Sequence, residues 1–226
     1  GHFYQYPALG DLFSNTDFSI LKNLQAGGIT YGVMGNPNLK PETAWNYEVG
    51  AEKDFQNTLA VKIAGFYRDV KDLINWAPDS SFVWRPSNIS DAKIWGAEAE
   101  FVLYPAKGWA IPFNYSYLYP KDESTGEPIP NKPKHMFNVG VDYRSSFGLK
   151  GSLKGRYVQF YVGQGSTLNQ DYFVLDARVG YEFKVWQYAS GQAYLSLTNA
   201  LNKEYQTLEG YPMPPRSLSG GVSLFF

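Results

Sequence analysis

Phe173-Val-Leu-Asp-Ala-Arg-Val-Gly-Tyr-Glu-Phe183 sets apolar and polar residues on alternate positions. Phe173, Leu175, Ala177, Val179, Tyr181 and Phe183 share one side of an extended chain. Val174, Asp176, Arg178, Gly180 and Glu182 share the other. Successive side chains of a β-strand point to opposite faces, so this segment has an apolar face and a polar, partly charged one. The period of two recurs outward from it. Trp45, Tyr47, Val49 and Ala51 alternate with Asn46, Glu48 and Gly50, and Trp95, Ala97, Ala99, Phe101 and Leu103 with Gly96, Glu98 and Glu100. Trp109, Ile111, Phe113, Tyr115 and Tyr117 form another apolar row, as do Phe137, Val139, Val141 and Tyr143. Leu218, Gly220, Val222, Leu224 and Phe226 alternate with Ser217, Ser219, Gly221 and Ser223. No comparable segment has an apolar stripe at helical spacing.

The alternation predicts nine strands, at 43–54, 57–70, 91–104, 108–119, 134–145, 148–160, 170–183, 189–199 and 216–226, with a stub of another at 1–6. Soluble strands average ~5–6 residues, whereas a tilted strand needs ~9–11 to cross a bilayer. Most of these strands reach the second length. Their connections alternate between short (55–57, 105–107, 145–147, 184–188) and long (7–42, 71–90, 120–133, 161–169, 200–215). Tight turns at one rim and long loops at the other describe an antiparallel up-and-down transmembrane β-barrel. The fold class is therefore read as all-β. Aromatics cluster near strand ends, at Tyr104, Trp109, Tyr119, Tyr143, Phe160-Tyr161, Tyr172-Phe173 and Phe225-Phe226. Amphipathic rings favour the headgroup level, which predicts aromatic girdles.

Composition removes several function classes. Lys and Arg total 20 against 21 Asp and Glu, which gives no basic field to gather nucleic acid. The absence of Cys excludes disulfides and thiolate metal sites. With only His2 and His135, a histidine-rich metal centre is excluded too, and no cofactor is expected. The longest stretch near the C-terminus without Asp, Glu, Lys or Arg, Val185 to Asn202, is broken by Gln, Ser, Gly, Thr and Asn. A spanning helix needs about 20 mostly apolar residues. The first residues lack the basic start and apolar core of a signal peptide, so an export signal is expected to lie outside this sequence.

The polar rows hold the groups that chemistry would use. Glu98 and Glu100 are two carboxylates on one strand face, but no partner nucleophile accompanies them, and lumen-facing charge explains them better than catalysis. Asp176, Arg178 and Glu182, with Lys150, Lys154 and Arg156, are expected to form ladders of opposite charge across neighbouring strands. Gly163-Gln-Gly165 lacks the rest of a phosphate loop. Asp79, Asp122 and Glu123 are loop acids whose spacing fits no EF-hand. The chain is not expected to be an enzyme.

One loop makes the reading specific. Gly35-Asn-Pro-Asn-Leu-Lys-Pro-Glu42 runs directly into Thr43-Ala-Trp-Asn-Tyr-Glu-Val-Gly50. Further landmarks follow in order: Phe66-Tyr-Arg-Asp-Val-Lys-Asp-Leu-Ile74, Asn88-Ile-Ser-Asp-Ala-Lys-Ile-Trp-Gly-Ala-Glu98, Asn114-Tyr-Ser-Tyr117, Pro130-Asn-Lys-Pro-Lys-His135, Leu197-Thr-Asn-Ala-Leu-Asn-Lys-Glu-Tyr205 and Gly210-Tyr-Pro-Met-Pro-Pro-Arg216. This series resembles the barrel of TonB-dependent outer-membrane receptors over nearly the whole chain, and His2–Phe13 resembles a segment of the same family. The resemblance rests on Asn36, Pro37, Asn38, Leu39, Pro41, Glu42, Asn199, Tyr205, Tyr211, Pro212, Arg216 and the terminal Phe226. Pro215 stands where the family usually has Gly, which bears on the last extracellular turn.

The resemblance implies a bacterial outer-membrane location, with short turns periplasmic and long loops extracellular. It also implies that these strands are the C-terminal part of a larger barrel, since such transporters have ~22 strands around a plugged lumen. The expected partners are outer-membrane lipid, the remaining strands and plug, TonB acting through that plug, and the barrel assembly machinery reading the last strand. The implied function is capture and import of a scarce ligand such as an iron chelate, cobalamin or an oligosaccharide. Trp76, Trp84, Tyr161 and Tyr211 are the loop candidates for ligand contact. Two other readings remain open. An autonomous ten-stranded porin requires the segment near Phe3 to pair with the last strand. A soluble sugar-binding β-sandwich requires the apolar rows to meet in a dry core.

Overall fold

The computed structural model describes residues 2–5, 8, 15–17, 32–56, 58–78, 83–88, 91–186 and 189–225, all strand, turn or irregular chain. In chain order the strands are β1 (His2–Gln5), β2 (Asn15–Asp17), β3 (Gly32–Met34), β4 (Glu42–Phe55), β5 (Leu59–Lys71), β6 (Ile74–Pro78), β7 (Val83–Asn88) and β8 (Ala92–Leu103). They continue as β9 (Trp109–Asp122), β10 (Lys132–Arg144), β11 (Leu149–Tyr161), β12 (Asp171–Trp186), β13 (Ala189–Thr198), β14 (Gln206–Leu208), β15 (Tyr211–Pro212) and β16 (Ser217–Phe225). Ten of them form one sheet in the order β1-β4-β5-β8-β9-β10-β11-β12-β13-β16. Each of the nine predicted strands is there, within about three residues at either end, and β1 is the stub.

The register shows why the pattern was readable. Val179 lies opposite Leu195, and Leu195 opposite Gly220, so the apolar row continues across three strands. Arg178 lies opposite Ser152 and Ser196, which continues the polar row. A slip of one residue would exchange the two faces. The β10–β11 turn is pinned by Ser145, whose N–H donates to the Leu149 carbonyl at 2.8 Å and whose Oγ accepts the Leu149 N–H at 2.8 Å. Gly148 closes this turn at φ 100°, where a Cβ would stand 2.2 Å from the Glu182 carbonyl oxygen. Only glycine fits there.

The soluble-sandwich reading fails on the exposure of its apolar rows. β1 pairs with β4 and β16 with β13. The apolar rows are open rather than packed on each other: Val49 is 76% exposed, Leu218 73%, Leu195 56% and Trp45 53%. Exposed apolar rows of that extent are a surface made for lipid.

Two compact units make up the chain. The first comprises Gly1–Tyr47, Phe66–Trp95 and Pro120–Pro128, the second Glu48–Gly65, Gly96–Tyr119 and Ile129–Phe226. The first contains a feature that was expected to be loop. β2, β3, β7 and β6 form a separate four-stranded sheet in that order, built from the 7–42 and 71–90 connections. Short strands of this kind are hidden from period counting, because three to six residues display little alternation.

The second unit holds the apolar cluster of Val158, Phe160, Leu168, Tyr172 and Val174, with Tyr205 against it. This corrects the girdle reading for Phe160 and Tyr172. Both occupy even positions, on the face opposite to Tyr157 and Phe173, and both are buried. The loop residue Leu168 lies against them. The polar face therefore turns apolar where the long connections fold over it. Girdle pairs do form elsewhere, with Trp109 and Tyr143 rings 4.6 Å apart and Tyr119 edge-on to Tyr161 at 5.8 Å. Phe226 lies outside the described residues.

Candidate functional site

The Asn36–Glu42 segment works as a clamp. Asn36 Oδ1 accepts the Asn38 N–H at 3.0 Å, an Asx turn that needs no help from Pro37, which has no N–H to place. Asn36 Nδ2 donates to the Pro86 carbonyl at 3.2 Å. Asn88 meets Lys40 as one peptide meets another: its Oδ1 accepts the Lys40 N–H at 2.8 Å and its Nδ2 donates to the Lys40 carbonyl at 3.0 Å. The same Nδ2 reaches the Asp72 carbonyl at 2.6 Å. Glu42, buried, accepts the Ile74 N–H at 2.6 Å. Asn36, Lys40 and Glu42 thus tie the entry to β4 onto the β6–β7 hairpin. Pro41 leaves no orphan donor between them.

Trp76 and Trp84 stand on that hairpin, on β6 and β7 rather than in irregular loop, opposite Pro86 and Pro78. Nearby acids are already engaged. Glu123 accepts from Lys93 at 2.9 Å and Lys121 at 3.0 Å, and these two ammonium groups, Lys93 foremost, hold its carboxyl below the usual range. Asp122 Oδ1 accepts the Ser124 N–H at 2.8 Å and hydroxyl at 2.6 Å. Asp79 lies outside the described residues. Among those described, no group of three or more His, Asp or Glu is placed to hold a metal.

A second clamp organises the 200–215 connection. Asn199 is 1% exposed and sits at φ 50°, a left-handed position that Asn tolerates better than most residues. Its N–H donates to Asp176 Oδ1 at 2.8 Å, and its Oδ1 accepts the Lys203 N–H at 2.8 Å. Nδ2 donates to the carbonyls of Lys203 at 2.8 Å and Pro214 at 3.3 Å. Asn202 repeats the device, accepting the Arg216 N–H at 2.9 Å. Pro215 lies between these two anchored positions. The Tyr205 ring packs tilted against that of Tyr172, centres 4.5 Å apart, bringing the loop over the apolar cluster.

Glu209, between β14 and β15, joins three connections. It accepts the Thr167 N–H at 2.6 Å and hydroxyl at 3.3 Å, and Asn131 Nδ2 at 3.0 Å. These donors, the Thr167 N–H above all, hold its carboxyl below the usual range against the opposing effect of burial. A cavity of about 440 Å³ opens beside this junction, with Thr167, Asn169, Lys203, Glu204, Tyr205 and Met213 in its wall. Tyr211 and Pro212 form β15 and are exposed, and Pro212 lines the cavity. Tyr161 ends β11, with the Lys134 ammonium 5.5 Å from its ring centre. Glu98 and Glu100 are both exposed.

Reading the sequence alone missed Asp176, Asn131, Thr167 and Glu209 as organising residues. Asn131, Asn199 and Asn202 share one local signal, an Asn with positive φ in a polar connection. Nothing local marks Glu209, whose partners are 42 and 78 residues away.

The chain as a whole resembles known proteins. The family model for the TonB dependent receptor-like β-barrel matches residues 1–200. The chain belongs to the TonB-dependent receptor β-barrel family. It is 31% identical over 180 residues to the vitamin B12 transporter BtuB of Vibrio vulnificus (strain YJ016), covering 76% of this chain and 27% of that protein. It is 26% identical over 233 residues to the hemin receptor of Yersinia pestis, covering 97% and 34%. Among solved structures, the copper transporter OprC superposes with a TM-score of 0.73 at 18% identity, over 99% of this chain and 36% of that one. A ferric enterobactin receptor (PfeA) of Pseudomonas aeruginosa gives 0.69 at 19% identity, over 99% and 37%. This TonB-dependent receptor chain therefore spans about a quarter to a third of the curated relatives it matches. Its family places it in the bacterial outer membrane.

Proposed function

We propose that this chain is the C-terminal part of the barrel of a TonB-dependent receptor that captures a scarce ligand at the cell surface and imports it. The observation that carries the reading is the combination of a ten-stranded sheet with open apolar rows and long connections tied down by their own buried polar side chains. Connections held in this way present fixed surfaces rather than loose chain, which favours ligand capture. The relatives' names span vitamin B12, hemin, copper and ferric enterobactin, so the ligand class is a metal ion or a metal complex. The 440 Å³ cavity, with Tyr211 next in sequence to its lining residue Pro212, is the contact region assigned to the second unit, and Trp76 and Trp84 that of the first. Lumen-facing Glu98 and Glu100 serve hydration of the wall and not catalysis. TonB acts through a plug carried by the parent receptor, and the barrel assembly machinery reads the last strand.

The test is uptake by the full-length receptor in a strain stripped of its own. Cobalamin, hemin, a ferric catecholate and copper are offered in turn, with and without TonB. Accumulation of one of them only when TonB is present is expected. Equal accumulation without TonB, or passage of unrelated small solutes, overturns the reading.

A further inference from the structure

Charge on the outward face of β5, β8 and β9 is confined to one end. No Asp, Glu, Lys or Arg stands at an odd position from 57 to 67, from 95 to 103 or from 109 to 119, where the rows meet lipid. Toward the end from which the long connections leave, the same rows pass Tyr67 and Trp95 and then turn charged, with Asp69 and Lys71, Lys93 and Asp91, and Lys121 and Glu123. All six lie in the first compact unit. Val70 and Ala92, on the alternate positions, are 3% and 0% exposed beneath the connections. The charged row therefore stands on the outward side.

These side chains form a lattice. Lys71 pairs with Asp91, Lys93 with Glu123 at 2.9 Å and Lys121 with the same Glu123 at 3.0 Å. The Glu123 N–H donates to the Asp91 carbonyl at 2.9 Å, which carries the β8–β9 ladder past the strand end and holds the charges side by side. Asp69 is near enough for its charge to reach Lys71 and Lys93, and those two ammonium groups repel each other. Each ammonium has three donors, and the three lysine side chains stay 56%, 42% and 37% exposed. Exposed ion pairs add little to folding stability, so stability alone does not account for their gathering here.

Trp and Tyr rings favour the headgroup level of a bilayer. Two residues of strand advance about 7 Å, which sets the lattice just beyond Tyr67 and Trp95, among headgroups rather than acyl chains. We propose that this patch binds the phosphates of a glycolipid headgroup in the outer leaflet, with Lys71, Lys93 and Lys121 meeting phosphate and the neighbouring carboxylates accepting sugar hydroxyls. The proposal rests on the odd rows facing lipid and on the long connections lying outside the cell. A lipid is the occupant that the position favours, because the patch continues without a break from the face that lipid covers. Phosphate suits clustered ammonium groups, which bind it as point charges, and an anion between Lys71 and Lys93 relieves their repulsion. Sugar hydroxyls suit the interspersed carboxylates, which a bare phosphodiester would meet as like charge.

The test uses the intact receptor in detergent, given one defined lipid at a time and read by native mass spectrometry. The lipids are bisphosphorylated lipid A, the same lipid A stripped of phosphate, and phosphatidylethanolamine. Wild type is expected to retain the bisphosphorylated form and to hold the other two far more weakly. Changing Lys71, Lys93 and Lys121 together to Gln should weaken that retention by on the order of 100-fold. Changing them to Arg should preserve it, and Lys62→Gln, on the opposite face of β5, should leave it unaltered. Should the triple Gln variant fail to fold, Lys121→Gln alone and the stripped lipid on wild type decide the matter. Equal retention of phosphorylated and stripped lipid A by wild type overturns the proposal, as does wild-type retention by a folded Gln variant. Neither result touches the import reading, which the uptake assay judges separately.

Discussion

Asn199 concentrates the largest single-residue effect. Its side chain satisfies one backbone N–H and two carbonyls from a buried position. Asn199→Ala strands those groups, at roughly 1–3 kcal/mol for a buried unsatisfied group, and places Ala in a left-handed conformation that costs about 1–2 kcal/mol. Hydrogen exchange of residues 200–205 in the folded receptor should accelerate by at least ~100-fold, which a loss of about 2.7 kcal/mol implies. Asn199→Asp keeps the Lys203 acceptor and is expected to fall between. Glu209 gives a pH-dependent counterpart. Its folded-state carboxyl is held below the ordinary value, so its contribution is fully present above that ordinary value and is lost as pH falls through the depressed one. Exchange in residues 206–212 should therefore rise below about pH 4, near the ordinary Glu value. Glu209→Gln should flatten that dependence, and an unchanged acid profile in the variant would refute the junction.

Each strand carries one face for lipid and one for the lumen, and the two tolerate charge differently. Val179 and Leu195 are cross-strand neighbours on the open apolar row. Arg on a lipid-facing strand position costs up to about 2–4 kcal/mol, most at the bilayer midplane. Leu195→Arg should lower folding stability in bilayers by that amount, while Ser196→Arg, one residue on and facing the lumen, should cost far less. Equal effects would mean the faces are misassigned. At the β6–β7 hairpin, Asn88→Ala removes both bonds to Lys40 and the bond to Asp72. Protease nicking after Lys71 is expected to increase with little change in barrel stability, because the affected bonds lie at the strand ends. Limited trypsinolysis of outer membranes measures it.

At the largest scale, the pairing of the first and last described strands of the sheet bears on closure. β1 and β16 each pair on one side among the described strands, and lipid tolerates no open edge. Residues 1–226 refolded alone in detergent should show β-structure but no heat-modifiable monomer on gels, whereas the full receptor should show one. A heat-modifiable monomer from the isolated segment would mean that it closes by itself. The strands and their faces were legible in the sequence because an alternation repeated over nine to sixteen residues and nine strands is local and self-consistent, down to which of Val179 and Arg178 meets lipid. The NPNLKPE segment was legible as a resemblance, but its task was not. The positions of Asn36, Asn88, Asn199 and Glu209 are decided by partners up to 78 residues distant, and a lone polar side chain carries no local sign of which backbone group it will satisfy. The burial of Phe160 and Tyr172 was not read from the sequence, because it depends on Leu168 and Tyr205 folding over that face. Local periodicity thus fixes what each strand presents, while long-range hydrogen bonding and burial decide which connections are held and where.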